Sequence, residues 1–131
     1  MPKTVLIIDD EADIREIATA SLQLVGGFTV LTARSGQDGI SLARQQKPDA
    51  IILDLMMPEM DGCEVLLQLK NDPNSRDIPV VLLTAKVQGM KKEMAQAAGA
   101  AGVLMKPFDP MLLPAQLNAM LGWAAADHEH A

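Results

Sequence analysis

The sequence contains a single cysteine, Cys63, among 131 residues. That excludes a disulfide framework and a zinc site built from several thiolates. Tyrosine is absent, and two phenylalanines and one tryptophan are the only aromatic residues. So few rings give no platform on which nucleic-acid bases could stack. Basic residues are the minority: 11 against 17 acids leave a net charge of −6, and no basic cluster exceeds Lys91-Lys92. A phosphate backbone is therefore a poor direct partner. No apolar run approaches the ~20 residues of a membrane helix. Met1-Pro2-Lys3 leads straight into an apolar strand, without the pattern of a secretory leader. A cytoplasmic protein that binds neither membrane nor nucleic acid is the expectation. There is no G-x-G-x-x-G and no P-loop lysine motif, which argues against a flavin or dinucleotide binder.

What is present is ordinary globular composition, 49% hydrophobic and 21% charged, in a chain of one-domain length. Four short runs are almost wholly apolar: Val5-Leu6-Ile7-Ile8, Ala50-Ile51-Ile52-Leu53, Val80-Val81-Leu82-Leu83 and Gly102-Val103-Leu104-Met105. Strands covered on both faces of a parallel sheet have this character. Thr29-Val30-Leu31-Thr32-Ala33 alternates more and reads as an edge strand. Helical patterns lie between the runs. Ile14, Ile17, Ala18, Leu22 and Val25 share one helical face, which Gly26-Gly27 ends. Ser35 caps a second helix reaching Gln46, with Pro48 beyond it. A third is expected over 63–70 and a fourth over 88–98. A fifth opens at Asp109-Pro110, with Pro114 forcing a late or bent start. Cys63 is expected to be a buried or half-buried helix residue. Five strands alternating with five helices predict an α/β domain, a doubly wound parallel sheet. Residues 1–122 are expected to form it, with 123–131 as a polar tail.

The chemistry sits at the strand ends. Asp9, Asp10 and Glu11 follow the first strand, Asp54 ends the third, Thr84 the fourth, and Lys106 follows the fifth. Open parallel sheets bind ligands beyond the carboxyl ends of their strands, where strand order reverses. Asp10 and Asp54 should therefore share a crevice. Two carboxylates ~5 Å apart repel by roughly 3 kcal/mol at an effective dielectric near 20. Lys106 offsets part of this, and a hard dication such as Mg²⁺ would offset more. The same parts suit phosphoryl transfer, which needs in-line positioning, a metal ion and cations around the phosphoryl oxygens. Asp54 would be the nucleophile, Asp9 and Asp10 metal holders, and Lys106 and Thr84 partners of phosphoryl oxygens. Singly, each residue has a plainer use: Asp9-Asp10-Glu11 could complement a helix dipole.

Several motifs together resemble the receiver domain of two-component response regulators. They are Val5-Leu6-Ile7-Ile8-Asp9-Asp10-Glu11, Leu53-Asp54-Leu55-Met56-Met57-Pro58-Glu59-Met60-Asp61-Gly62, Leu83-Thr84-Ala85, Gly99-Ala100-Ala101-Gly102 and Met105-Lys106-Pro107-Phe108. Intervals of 44, 30 and 22 residues separate Asp10, Asp54, Thr84 and Lys106 in turn. The resemblance implies a flavodoxin-like sheet of order 2-1-3-4-5 and a phosphorylation-activated switch rather than an enzyme with a separate substrate. It implies that Asp54 is phosphorylated by a sensor histidine kinase or phosphotransfer protein. Asp10, Asp54 and the Met56 backbone carbonyl would ligate Mg²⁺, with Asp9 acting through water. Thr84 would be the switch hydroxyl, Lys106 the phosphate-binding cation, and the peptide before Pro107 cis. Met56 and Lys86 occupy positions that tune phosphoryl lifetime. Val103 stands where the family usually has an aromatic switch residue. The expected output is a contact with a downstream protein through the face of the fourth helix, fifth strand and fifth helix, with room for a homodimer. The alternative is a receiver-like binding module that does not use phosphate. A Mg²⁺-dependent hydrolase is disfavoured, because Met56 stands where a general acid would be needed.

Overall fold

A computed structural model of the chain describes residues 2–58, 60–85 and 99–123. Five strands form one sheet: β1 (Thr4–Ile8), β2 (Thr29–Ala33), β3 (Ala50–Asp54), β4 (Val80–Thr84) and β5 (Gly102–Met105). All neighbours are parallel, and the order is β2-β1-β3-β4-β5. The helices are α1 (Ala12–Ala20), α2 (Gly36–Gln46), α3 (Gly62–Asn71) and α4 (Leu113–Leu121), with a π-helical turn, Ser21–Val25, continuing α1. The fourth helix expected from the sequence, over 88–98, lies outside the described residues, as does most of the tail. Among the described residues no helix is long and apolar enough to cross a membrane.

The apolar runs make a core on each face of the sheet. Because side chains alternate along a strand, Leu6, Ile8, Ile51, Leu53, Val80 and Leu82 pack against α2 and α3. Val5, Ile7, Ile52, Val81, Leu83 and Leu104 face Ala18, Leu22, Leu113 and Leu117 on the other side. Burial on both faces is why these strands show no polar alternation. β2 has one neighbour and is partly exposed, in agreement with its mixed sequence.

Three details correct the sequence reading. The helical face after β1 is not continuous, since Ala18 and Leu22 are buried but Ile17 and Val25 are exposed. The Gly26 N–H bonds to the Ser21 carbonyl, five residues back, and this wider turn puts Val25 out of phase with the stripe. The last helix starts late, at Leu113, as Pro114 implied, so that Asp109-Pro110 does not open it. Asp109 instead caps a turn by accepting from the Met111 N–H at 2.9 Å, which leaves Pro114 in the first turn of α4, where no N–H is required. Cys63 is exposed, because α3 begins at Gly62 and turns its second residue outward. The other caps follow the sequence. Ser35 Oγ accepts from the Asp38 N–H, and Asp61 accepts from the Glu64 N–H.

Candidate functional site

Register brings the strand-end residues together. Ile8 pairs with Leu53 across β1 and β3, so Asp9 and Asp54 leave the sheet side by side. Asp54 pairs with Leu83, and Thr84 with Met105, so Thr84 and Lys106 emerge at the same rim. Asp9 remains in the ladder through a 3.1 Å bond from its N–H to the Ala33 carbonyl. The Lys106 N–H likewise donates to the Thr84 carbonyl at 2.8 Å, and the Lys106–Pro107 peptide is cis.

The acids are close. Asp9, Asp10, Glu11 and Asp54 each offer a carboxylate oxygen, and these oxygens lie within 4.8 Å of one another. Asp9 and Asp54 are buried, at 0% and 1% exposure, whereas Asp10 and Glu11 are exposed. Lys106 Nζ stands 3.1 Å from Asp9 Oδ2, 3.4 Å from Asp54 Oδ1 and 3.4 Å from Glu11 Oε1. The contact with Asp9 Oδ2 is an ion pair. Asp9 Oδ2 and Asp54 Oδ2 have no hydrogen-bond partner among the described residues. Asp54 Oδ1 is held by the Met56 N–H at 3.1 Å, and Asp9 Oδ1 by the Glu11 N–H at 2.9 Å. In each buried carboxylate the backbone fixes one oxygen; the other faces Lys106 in Asp9 and has no hydrogen-bond partner among the described residues in Asp54.

Burial pushes the Asp54 carboxyl up to about 6, with the Met56 N–H opposing, Asp9 adding to the rise and Lys106 opposing. Lys106 is drawn down by burial, but its close contact with Asp9 and the charges of Asp9, Asp54 and Glu11 leave it above its usual value. Four carboxylates gather here, and Lys106 contacts three of them. Such a donor set, all oxygen and with the buried Asp54 Oδ2 lacking a hydrogen-bond partner among the described residues, fits a hard dication.

Not every expected residue reaches the pocket equally. Thr84 is buried at the rim. Met56 is 65% exposed, while Met57 is buried against the α2–α3 side of the core. Val103 is half-buried and packs on that same side. Lys86 lies outside the described residues. The sequence reading gave no role to Glu11, whose carboxylate joins the cluster. The signal was the third acid of the run, which helix capping seemed to explain. The structure gives a reason for Gly62 in its motif: a Cβ there would sit 2.6 Å from the Asp54 carbonyl oxygen and from Leu55 Cα.

A doubly wound α/β domain with a lysine-bridged acidic pocket at its strand ends is the class of molecule these features define. The response regulator receiver domain model matches residues 5–118, and the chain belongs to that family. The phosphate regulon transcriptional regulatory protein PhoB of Pseudomonas aeruginosa is 40% identical over 119 residues, covering 91% of this chain and 52% of that protein. The chain spans about half the length of most curated relatives it matches. The structure of the chemotaxis protein CheY4 of Vibrio cholerae superposes with a TM-score of 0.84 at 32% identity, covering 92% of this chain and 99% of that one. The receiver domain of the sensor histidine kinase PA1611 of P. aeruginosa, solved with a magnesium ion coordinated in its active site cleft, gives 0.81 at 26% identity, over 93% and 99% of the two chains.

Proposed function

We propose that this domain is a phosphorylation-dependent signalling switch in which Asp54 accepts a phosphoryl group from a phosphohistidine of a sensor kinase or phosphotransfer protein. The observation that carries the reading is the buried Asp54 Oδ2, which has no hydrogen-bond partner among the described residues while its partner oxygen is pinned by Met56. That oxygen is the free nucleophile. It attacks phosphorus, the phosphorus–nitrogen bond breaks, and the electron pair leaves with the imidazole. The product is an acyl phosphate. Lys106, already 3.4 Å from Asp54, pairs with one phosphoryl oxygen. The Thr84 hydroxyl donates to another, so Thr84 is drawn inward once Asp54 carries phosphate.

The residues that would hold Mg²⁺ are Asp10, Asp54 and the Met56 backbone carbonyl, with Asp9 through water. When bound, the ion supplies two positive charges against the carboxylates and the transferred phosphoryl group. The magnesium in the PA1611 receiver supports this reading. The domain acts on itself and turns over no separate substrate. Output is a shift between surface conformations, read by a downstream protein on the face around β5 and α4. Exposed Met105, Met111 and Leu112 there give such a partner apolar area to cover.

Incubation with acetyl phosphate and Mg²⁺, followed by mass mapping, tests the acceptor. One phosphoryl adduct on Asp54, absent from Asp54→Asn, is expected. An adduct elsewhere, or none, would overturn the assignment. Val103 favours a second reading, a binding module indifferent to phosphate, because valine has no ring to swing behind Thr84. That module would bind its partner equally well before and after phosphorylation.

A further inference from the structure

Glu11 is the N-cap residue of α1, yet its side chain makes no capping hydrogen bond. Ser, Thr, Asp and Asn are favoured there because their short side chains reach the N2 or N3 amide. The local position therefore does not explain a glutamate. Burial does not explain it either, since the side chain is 59% exposed. The carboxylate instead turns into the strand-end pocket. Its Oε1 lies 3.4 Å from Lys106 Nζ, and it comes within 4.8 Å of oxygens from Asp9, Asp10 and Asp54. Lys106 is in contact with three acids, Asp9, Glu11 and Asp54. Independently, the pocket holds a buried carboxylate oxygen, Asp54 Oδ2, with no hydrogen-bond partner among the described residues, and Lys106 stands against the other oxygen of that carboxylate and against Asp9 Oδ2. A buried anionic oxygen in that state calls for a cation.

We infer that Glu11 is a fourth carboxylate of the cation site, paired with Lys106 in the cation-free protein and given over to the divalent ion or its water on binding. The inference rests on the reading of the pocket as a Mg²⁺ site. It adds a coupling that the motif does not: once Glu11 is occupied by the cation, Lys106 has one carboxylate fewer to serve. An ammonium donor is thereby released for a phosphoryl oxygen. Glu11 is a positioning residue in this scheme, and its exposure lets it change partners without disturbing the core.

Titration of the whole chain with Mg²⁺, followed by amide NMR shifts, tests the proposal, and Mn²⁺ binding read by electron paramagnetic resonance gives a second measure. Glu11→Gln keeps the shape and removes the charge. Its Mg²⁺ dissociation constant is expected to rise about three- to tenfold, the effect of one exposed charge near a dication in screened solvent. Glu11→Asp, which keeps the charge, is expected to stay within about twofold of wild type. The Lys106 ammonium resonance should move on Mg²⁺ addition in wild type and barely move in Glu11→Gln. Equal Mg²⁺ affinity in wild type and Glu11→Gln would overturn the role of Glu11 while leaving the Mg²⁺ reading intact. Equal losses in Glu11→Gln and Glu11→Asp would overturn it too, since charge would then not be what acts. A wild-type chain that binds no Mg²⁺ would remove the parent reading along with the inference.

Discussion

Asp54 is held in a state that a free carboxylate would avoid. Burial raises it from 3.8 to about 6, so the folded protein binds this proton more tightly than the unfolded chain does. Stability contributed by the protonated group is present below pH 4 and lost as pH rises through 6. The difference is about 3 kcal/mol at neutral pH, from roughly 1.4 kcal/mol per pH unit. Asp54→Asn should therefore melt higher than wild type at pH 7.5 without divalent ions, by on the order of 10 °C, and the gap should close at pH 4. Calorimetric melts at the two pH values check this; a lower melting point at pH 7.5 would count against repulsion in the pocket. Asp10→Asn should give a smaller rise, because Asp10 is exposed. Lys106→Met has the opposite sign. It takes from the buried Asp9 and Asp54 the counter-charge they have among the described residues, and a loss of about 3 kcal/mol is expected in denaturant titrations. In the Asp54→Asn background Lys106→Met should cost less than it does in wild type, because one of the two buried charges it neutralises is gone. Asp9, Asp10, Asp54, Thr84 and Lys106 were legible in the sequence because strand ends of parallel sheets are where ligands go. Glu11 was not, because an acid before a helix has an ordinary explanation until its side chain is seen to point elsewhere.

The helices carry the site by where they start. α3 begins immediately under Asp54, and Gly62 allows it: an added Cβ would meet backbone atoms of Asp54 and Leu55, which cannot yield as a side-chain tip can. Gly62→Ala should thus destabilise by about 3 kcal/mol and weaken cation binding, since the β3–α3 loop must move. Gly122 is the contrast. Its φ is 70° and nothing lies within 4 Å, so Gly122→Ala should lower stability only by the left-handed strain of ~1 kcal/mol. Chemical denaturation of both variants separates contact from conformation. Element boundaries were less legible than element types. The π-helical turn at Ser21–Val25 breaks the 3.6-residue period without a glycine or proline inside it, so Val25 seemed to belong to the buried face. Asp109-Pro110 looked like a helix start, but it builds a turn. The Ser21 hydroxyl donates to the Pro110 carbonyl there and ties the end of α1 to that turn, a tertiary contact that local sequence does not announce.

At the scale of the molecule, the sheet separates two ends with different duties. The carboxyl ends of the strands gather charge. The opposite end is closed by Trp123, whose ring centroid lies 5.8 Å from that of Phe28 and 4.8 Å from Lys3 Nζ. Trp123 is thus a poor reporter of events at Asp54, and amide shifts are the better probe. The two-faced core was legible because four apolar runs without alternation leave little else for a parallel sheet to be. The strand order came from family resemblance, since apolar runs alone do not say which strands adjoin. Because the metal-free pocket is self-repelling, divalent ions should stabilise the fold by mass action, near 2.7 kcal/mol at a hundredfold excess over the dissociation constant. Melting curves with and without Mg²⁺ measure this, and no shift would mean that the acids do not gather an ion.

The claim beneath these predictions is that side chains from β1, β3, β4 and β5 act as one cation-dependent acceptor of a phosphoryl group. Amide NMR with beryllofluoride, which mimics a bound phosphoryl group, tests it most directly. With Mg²⁺ present, resonances at Asp9, Asp54, Thr84 and Lys106 should shift together, and chelation of the ion or Asp54→Asn should abolish every shift. Shifts that persist without Mg²⁺ or without Asp54, or that spare Thr84 and Lys106, would contradict it.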